Sequence, residues 1–212
     1  MKSIYTRNIG ALSLPQQRTL FTRTVCIIGC GGIGASAAEL LLRAGVTSLL
    51  LVDPARFTEE DLNRHPFATA STQGKFKVTE AKRRLLAIQP EASITALKQA
   101  YPTSLPSYDL ILDCTDQPSA HHAIGAVCTC PVLHAKAYGY LVTILLQAPN
   151  EERLAAAYPD LRPIRHPAGK LGLLDRYAAS LLAAHAIAHL KLEEPSAWEG
   201  SETTYTLPYS VK

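Results

Sequence analysis

No apolar run in this 212-residue chain approaches the roughly 18 residues needed to cross a bilayer. The opening stretch, MKSIYTRNIG, lacks the apolar core of a secretory signal. There is no basic block either. The formal net charge of +3 is small and spread along the chain, so neither nucleic acid nor an anionic membrane is implied as a partner. Cysteine is sparse and odd in number, with five residues at positions 26, 30, 114, 128 and 130. That is too few for a disulfide scaffold, and a reducing cytoplasm is the expected compartment. Cys128 and Cys130 form a C-x-C with no second pair downstream, which excludes a four-thiolate zinc site. Internal repeats, low-complexity tracts and an evident linker are absent as well. What is present is ordinary: 47% hydrophobic residues, enough for a core, in a length that suits one domain.

The apolar pattern alternates between short runs and amphipathic segments. Residues 24–29 (TVCIIG) read as a buried strand, and 35–45 (ASAAELLLRAG) as a helix stopped by Gly45. VTSLLLVD then reads as a second buried strand ending in Asp53. A helix is expected over 75–89, stopped by Pro90, and strands at ASITAL and YDLILDCTD. A helix over 119–129, a strand at CPVLHA, a turn at Gly139, a strand at YLVTILLQA and a long helix over 172–192 complete the series. Strands alternating with helices predict an α/β fold, Rossmann-like, with a mainly parallel sheet and helices on both faces. Residues 1–192 are expected to form a single domain and 193–212 a polar tail, rich in Pro, Ser and Thr and loosely ordered.

The first βαβ unit carries the chemistry. Gly29, Gly31 and Gly34 satisfy G-x-G-x-x-G between strand and helix. The first permits the tight turn, the second a close backbone approach to phosphate, and the third close helix–strand packing. Backbone N–H groups at the helix start can then face an anion. Asp53 ends the next strand, where a carboxylate can accept from ribose hydroxyls. This predicts a nucleotide site, but these residues alone do not separate NAD from ATP.

Further motifs separate them. YTRNI (5–9), the turn GCGGIG (29–34), DLNRHPF (61–67), GKFKVTEAKRRL (74–85) and LDCTD (112–116) occur in that order. In this the chain resembles the ubiquitin-activating-enzyme-like adenylyltransferases, the group of MoeB, ThiF and HesA. Their usual run is Y-x-R-Q-I, G-x-G-G-x-G, an aspartate ending the next strand, N-x-N-R-Q, G-x-x-K-A and D-C-T-D-N. The match covers about residues 5–145, with a weaker echo in the last helix.

The resemblance implies ATP and Mg²⁺, and formation of an acyl-adenylate on the C-terminal Gly-Gly carboxylate of a ubiquitin-like sulfur carrier protein or a related peptide. By motif, Gly29, Gly31, Gly32 and Gly34 would seat the nucleotide and Asp53 would hold the ribose. Arg64, with Asn63 beside it, and Lys77 would contact the phosphates, and Asp116 would hold Mg²⁺. Arg7 would be an arginine finger supplied across a homodimer or heterodimer interface. A carboxylate nucleophile is already ionised at neutral pH, so such a site needs positioning and charge neutralisation rather than a general base.

The departures from the family run are specific. Asn8 and His65 stand where glutamine is usual, Gln117 where asparagine is, and His121 where an arginine is common. His121 is expected to approach the phosphates as a weak substitute. Residues 131–212 contain no cysteine, so the thioester chemistry of some members is not expected. His185 and His189 share a helix face, but HAIAH lacks the glutamate of H-E-x-x-H and is read as helix surface, not a metal site. Two other readings follow from the same residues. One is a non-catalytic partner subunit of a heterodimeric activating enzyme, and the other an NAD-dependent oxidoreductase using the same glycine turn.

Overall fold

The structure, a computed structural model, describes residues 3–100, 107–138, 141–148, 172–191 and 202–206. The turn expected at Gly139 lies outside the described residues. Five parallel strands are β1 (Thr24–Ile28), β2 (Ser48–Val52), β3 (Ser93–Leu97), β4 (Leu110–Asp113) and β5 (Val132–Tyr138). Two antiparallel strands, β6 (Leu141–Gln147) and β7 (Glu202–Thr206), extend one edge, giving the order β3-β2-β1-β4-β5-β6-β7. β7 lies in the segment expected to be a loosely ordered polar tail. Its ETTYT alternation carries little apolar signal, but β-branched threonine suits an edge strand.

Among the described residues the α-helices are α1 (Leu14–Thr22), α2 (Gly32–Ala44), α3 (Lys77–Ile88), α4 (Pro118–Val127) and α5 (Gly172–Leu190). Strand alternation sends Val25 and Ile27 to one side, where they meet Leu41 and Leu42 of α2, Leu85 of α3 and Leu182 of α5. Cys26 and Ile28 point the other way, onto Ala120 and Ile124 of α4. Both faces of the sheet are therefore covered, and the expected Rossmann-like architecture is the one observed. α2 and α5 pack extensively on each other. The small residues Ala178, Ala179, Ala183 and Ala186 are buried on α5 and let the two axes approach.

An N-terminal 3-10 helix, Ser3–Asn8, and α1 close over the C-terminal end of α2. Tyr5 Oη donates to the Leu42 carbonyl (3.3 Å) and the fully buried Gln17 amide to Ala44 (2.8 Å). Asn8 Nδ2 reaches the carbonyls of Arg43 and Ala44 at 3.2 Å each. These donors satisfy carbonyls that a helix end leaves without intrahelical partners. Gly45 completes the stop at φ +116°, and the departure at Asn8 so becomes a helix-capping contact.

Candidate functional site

The glycine turn is shaped by two close approaches. Gly29 has φ +90°, and a Cβ there would lie 2.7 Å from the Cys114 carbonyl. At Gly34 a Cβ would fall 1.9 Å from the Gly29 oxygen. Both positions therefore exclude side chains for reasons of packing. Gly31 differs, because the space its Cβ would occupy is open and faces a cavity. At Gly32 a Cβ would collide with Asp175 Oδ2. α2 starts at Gly32, three residues earlier than its apolar pattern suggests, so helical backbone begins inside the turn.

A cavity of about 320 Å³ opens over this turn. Gly29, Gly31, Gly32, Asp53, Arg64, Lys77 and Asp116 all line it, so residues far apart in sequence converge as expected. Gly34 is buried behind the turn. Asn63 is exposed and lies in an adjoining surface depression with Arg64. Arg7 is exposed on the 3-10 helix anchored at the far end of α2. Thirteen helical residues separate that end from the turn, about 20 Å at 1.5 Å per residue. Arg7 therefore does not reach the cavity of its own chain.

Asp53 is buried at the cavity wall. Its carboxylate accepts from the N–H of Cys30 and of Ala55, both at 2.7 Å, so it braces the glycine turn as well as facing the cavity. His65, also buried, ties the next segment to the same turn. Its Nε2–H donates to the Cys30 carbonyl (2.8 Å) and its Nδ1 accepts from Phe67 N–H (3.2 Å), which fixes a neutral tautomer. Burial pushes its pKa down to about 4.

Asp61 was not anticipated. It is 2% exposed, and its Oδ1 accepts from Lys77 Nζ at 2.9 Å and Arg64 Nη2 at 3.1 Å. Burial alone would raise its pKa, but the Thr58 N–H, the Lys77 bond and the two cations outweigh it and hold the carboxyl below the ordinary value. Two cations converging from separate elements need a counter-charge, and Asp61 is the first residue of DLNR, where the family run has asparagine. That was the available signal. Asp175, which enters the cavity from α5, was not singled out, since it lies beyond the last matching motif, in a helix that gave only a weak echo of the family.

The N-cap residue of α4 is Gln117, whose side chain makes no capping bond, and Asp116 just before it lines the cavity. His121 does not approach the phosphate region. It is 2% exposed on α4, hydrogen-bonded to Asp113, and does not line the cavity. Cys26, Cys30, Cys128 and Cys130 are buried, and burial raises the pKa of each thiol, as inert packing residues require.

Fold and cavity together define a Rossmann-like domain with paired cations beside its glycine turn. The family model described as the ThiF family matches residues 5–209, and the chain belongs to that family. It is 30% identical over 208 residues to the sulfur carrier protein ThiS adenylyltransferase of Escherichia coli strain K12, covering 91% of this chain and 83% of that protein. It is 40% identical over 97 residues to the tRNA threonylcarbamoyladenosine dehydratase of Bacillus subtilis strain 168, covering 46% of this chain and 38% of that one. Among solved structures, E. coli MccB with ATP superposes with a TM-score of 0.77 at 21% identity, over 99% of this chain and 73% of that one, a likeness of fold.

Proposed function

We propose that this chain is an ATP-dependent adenylyltransferase that activates the C-terminal carboxylate of a ubiquitin-like sulfur carrier protein, or of a related peptide, as an acyl-adenylate. The observation that carries this reading is the convergence of Arg64, Lys77 and Asp116 on one cavity over the glycine turn. Similarity to the E. coli ThiS adenylyltransferase along most of both chains supports it.

The site's charges suit phosphate only with help. Among the described residues, Asp53, Asp61, Asp116 and Asp175 line the cavity with Arg64 and Lys77 as its cations. Asp116 and Asp175 supply the oxygen donors that Mg²⁺ prefers, so the residues present fit that ion. Bound there with ATP, Mg²⁺ would neutralise phosphate charge. Arg64 and Lys77, held in place by Asp61, would position the triphosphate, and the open face at Gly31 would let phosphate approach the start of α2. A carboxylate oxygen of the carrier would form a bond to the α-phosphorus while the bond to the β-phosphate oxygen breaks and pyrophosphate leaves. No proton need be removed, and no histidine among the described residues lines the cavity. Arg7 of a second subunit would bring one more positive charge, which makes a dimer part of the proposal.

The test is direct detection of the product. Incubation with Mg²⁺-ATP and a ubiquitin-fold protein ending in Gly-Gly is expected to add one adenylyl group to that protein, seen by intact-mass spectrometry. A carrier truncated by its last glycine pair should remain unmodified. Equal modification of both would overturn the assignment of the nucleophile. A non-catalytic subunit would bind no Mg²⁺-ATP in isolation, which calorimetry would show.

A further inference from the structure

A second cluster lies on the α4 side of the sheet, outside the nucleotide cavity. Asp113 ends β4, His134 is its register partner on β5, and His121 faces both from α4. All three are buried, at 0%, 0% and 2% exposure, and one ligand atom from each lies within 4.8 Å of the other two. Asp113 Oδ2 contacts Nδ1 of both imidazoles, that of His134 at 2.8 Å.

The surroundings of these donors are organised as well. Asp113 Oδ1 accepts from Thr115 N–H (3.0 Å) and Thr115 Oγ1 (2.8 Å), which leaves Oδ2 turned toward the histidines. His134 Nε2 lies 3.1 Å from Gln147 Oε1, an atom that can only accept. With the amide oxygen turned toward it, the ring donates from Nε2. In its neutral form Nδ1 then carries a lone pair aimed at the Asp113 carboxylate. Two acceptors at that separation need a positive charge between them, supplied either by a proton or by a metal ion. An imidazole that ligates through one nitrogen and donates from the other, beside a carboxylate whose second oxygen is fixed, is the arrangement metal sites use.

We propose that Asp113, His121 and His134 bind a divalent transition-metal ion, with Zn²⁺ the best match to two imidazole nitrogens and one carboxylate oxygen. Ligand atoms about tetrahedral Zn²⁺ stand roughly 3.3 Å apart, given bonds of about 2.0 Å. With every pair of ligand atoms within 4.8 Å, the cluster can reach that spacing by small side-chain shifts. The ion would pin β4, β5 and α4 together directly behind Thr115 and Asp116, and so hold the loop that delivers Asp116 to the nucleotide cavity.

The test uses the untagged chain, stripped by chelator and free of nucleotide, titrated with Co²⁺ and Zn²⁺. One equivalent of Co²⁺ with visible d–d absorption, displaced by Zn²⁺, is the expected result. His121→Arg gives Asp113 a permanent counter-charge and so keeps the fold while removing a ligand. It should weaken binding at least about 100-fold, and Zn²⁺ should raise the melting temperature of the parent but not of this variant. Gln147→Leu should weaken binding about 10–100-fold without removing a ligand. Absence of d–d absorption in the parent, or equal affinity in the parent and His121→Arg, would overturn the proposal and leave the cluster a hydrogen-bonded network.

Discussion

Replacing Asp61 by asparagine removes the charge that Arg64 and Lys77 share across separate elements. Both cations are only partly exposed, at 19% and 13%, so the loss is not fully screened. We expect a destabilisation of about 2 kcal/mol, read by urea unfolding, together with weaker Mg²⁺-ATP binding read by calorimetry. Unchanged stability would mean that the two cations are held by other contacts. His65 makes a pH-dependent prediction. Its folded pKa, about 4, lies below the unfolded value, so the unfolded chain binds more protons between the two. Stability is complete above about pH 6.5 and falls as pH drops toward 4. Going from pH 7 to pH 5 should cost about 2 kcal/mol at this one group. His65→Gln, which keeps a donor for the Cys30 carbonyl, should lack that component. Parallel stability–pH curves for parent and variant would contradict the assignment. At this scale the sequence was readable where motifs repeat a family order, as for Arg64, Lys77 and Asp116. It was not readable for the partners that hold those residues, because Asp61 and Asp175 are chosen by three-dimensional charge balance.

The glycine turn and α2 separate packing from binding. Gly34→Ala would drive a Cβ to 1.9 Å from the Gly29 oxygen, so the turn and α2 must part. A loss of about 3 kcal/mol or more is expected, with a lowered melting temperature. At Gly31 the Cβ position is open and φ is −78°, which alanine adopts freely. Gly31→Ala should therefore melt within a degree or so of the parent and still bind Mg²⁺-ATP at least about tenfold more weakly, because the methyl group enters the cavity. Equal binding would move the nucleotide away from this part of the turn. Strands and helices with strong apolar periodicity appeared near their expected bounds. The start of α2 did not, because glycine hides helical backbone from a propensity argument, and β7 was masked by its threonines.

At the level of the whole molecule, the N-terminal segment is fastened to the end of α2 opposite the turn by Tyr5, Asn8 and Gln17. If Arg7 serves the cavity of a second subunit, two inactive variants should complement each other. Arg7→Ala and Asp116→Ala, mixed after unfolding and refolding together, form mixed dimers with one intact site each. About a quarter of parental activity is expected, since half of randomly paired dimers are mixed and half of their sites are complete. No recovery would rule out action across the interface.

Carboxylate-dependent exchange between ATP and pyrophosphate reads the proposed activity most directly. The parent chain with a Gly-Gly-ending carrier should exchange, and Arg64→Ala and Asp116→Ala should each exchange at least about 100-fold more slowly, the exposed Asp116→Ala while keeping the parental melting temperature. Exchange as fast in those variants as in the parent would contradict the central claim that this cavity activates a carboxylate with ATP.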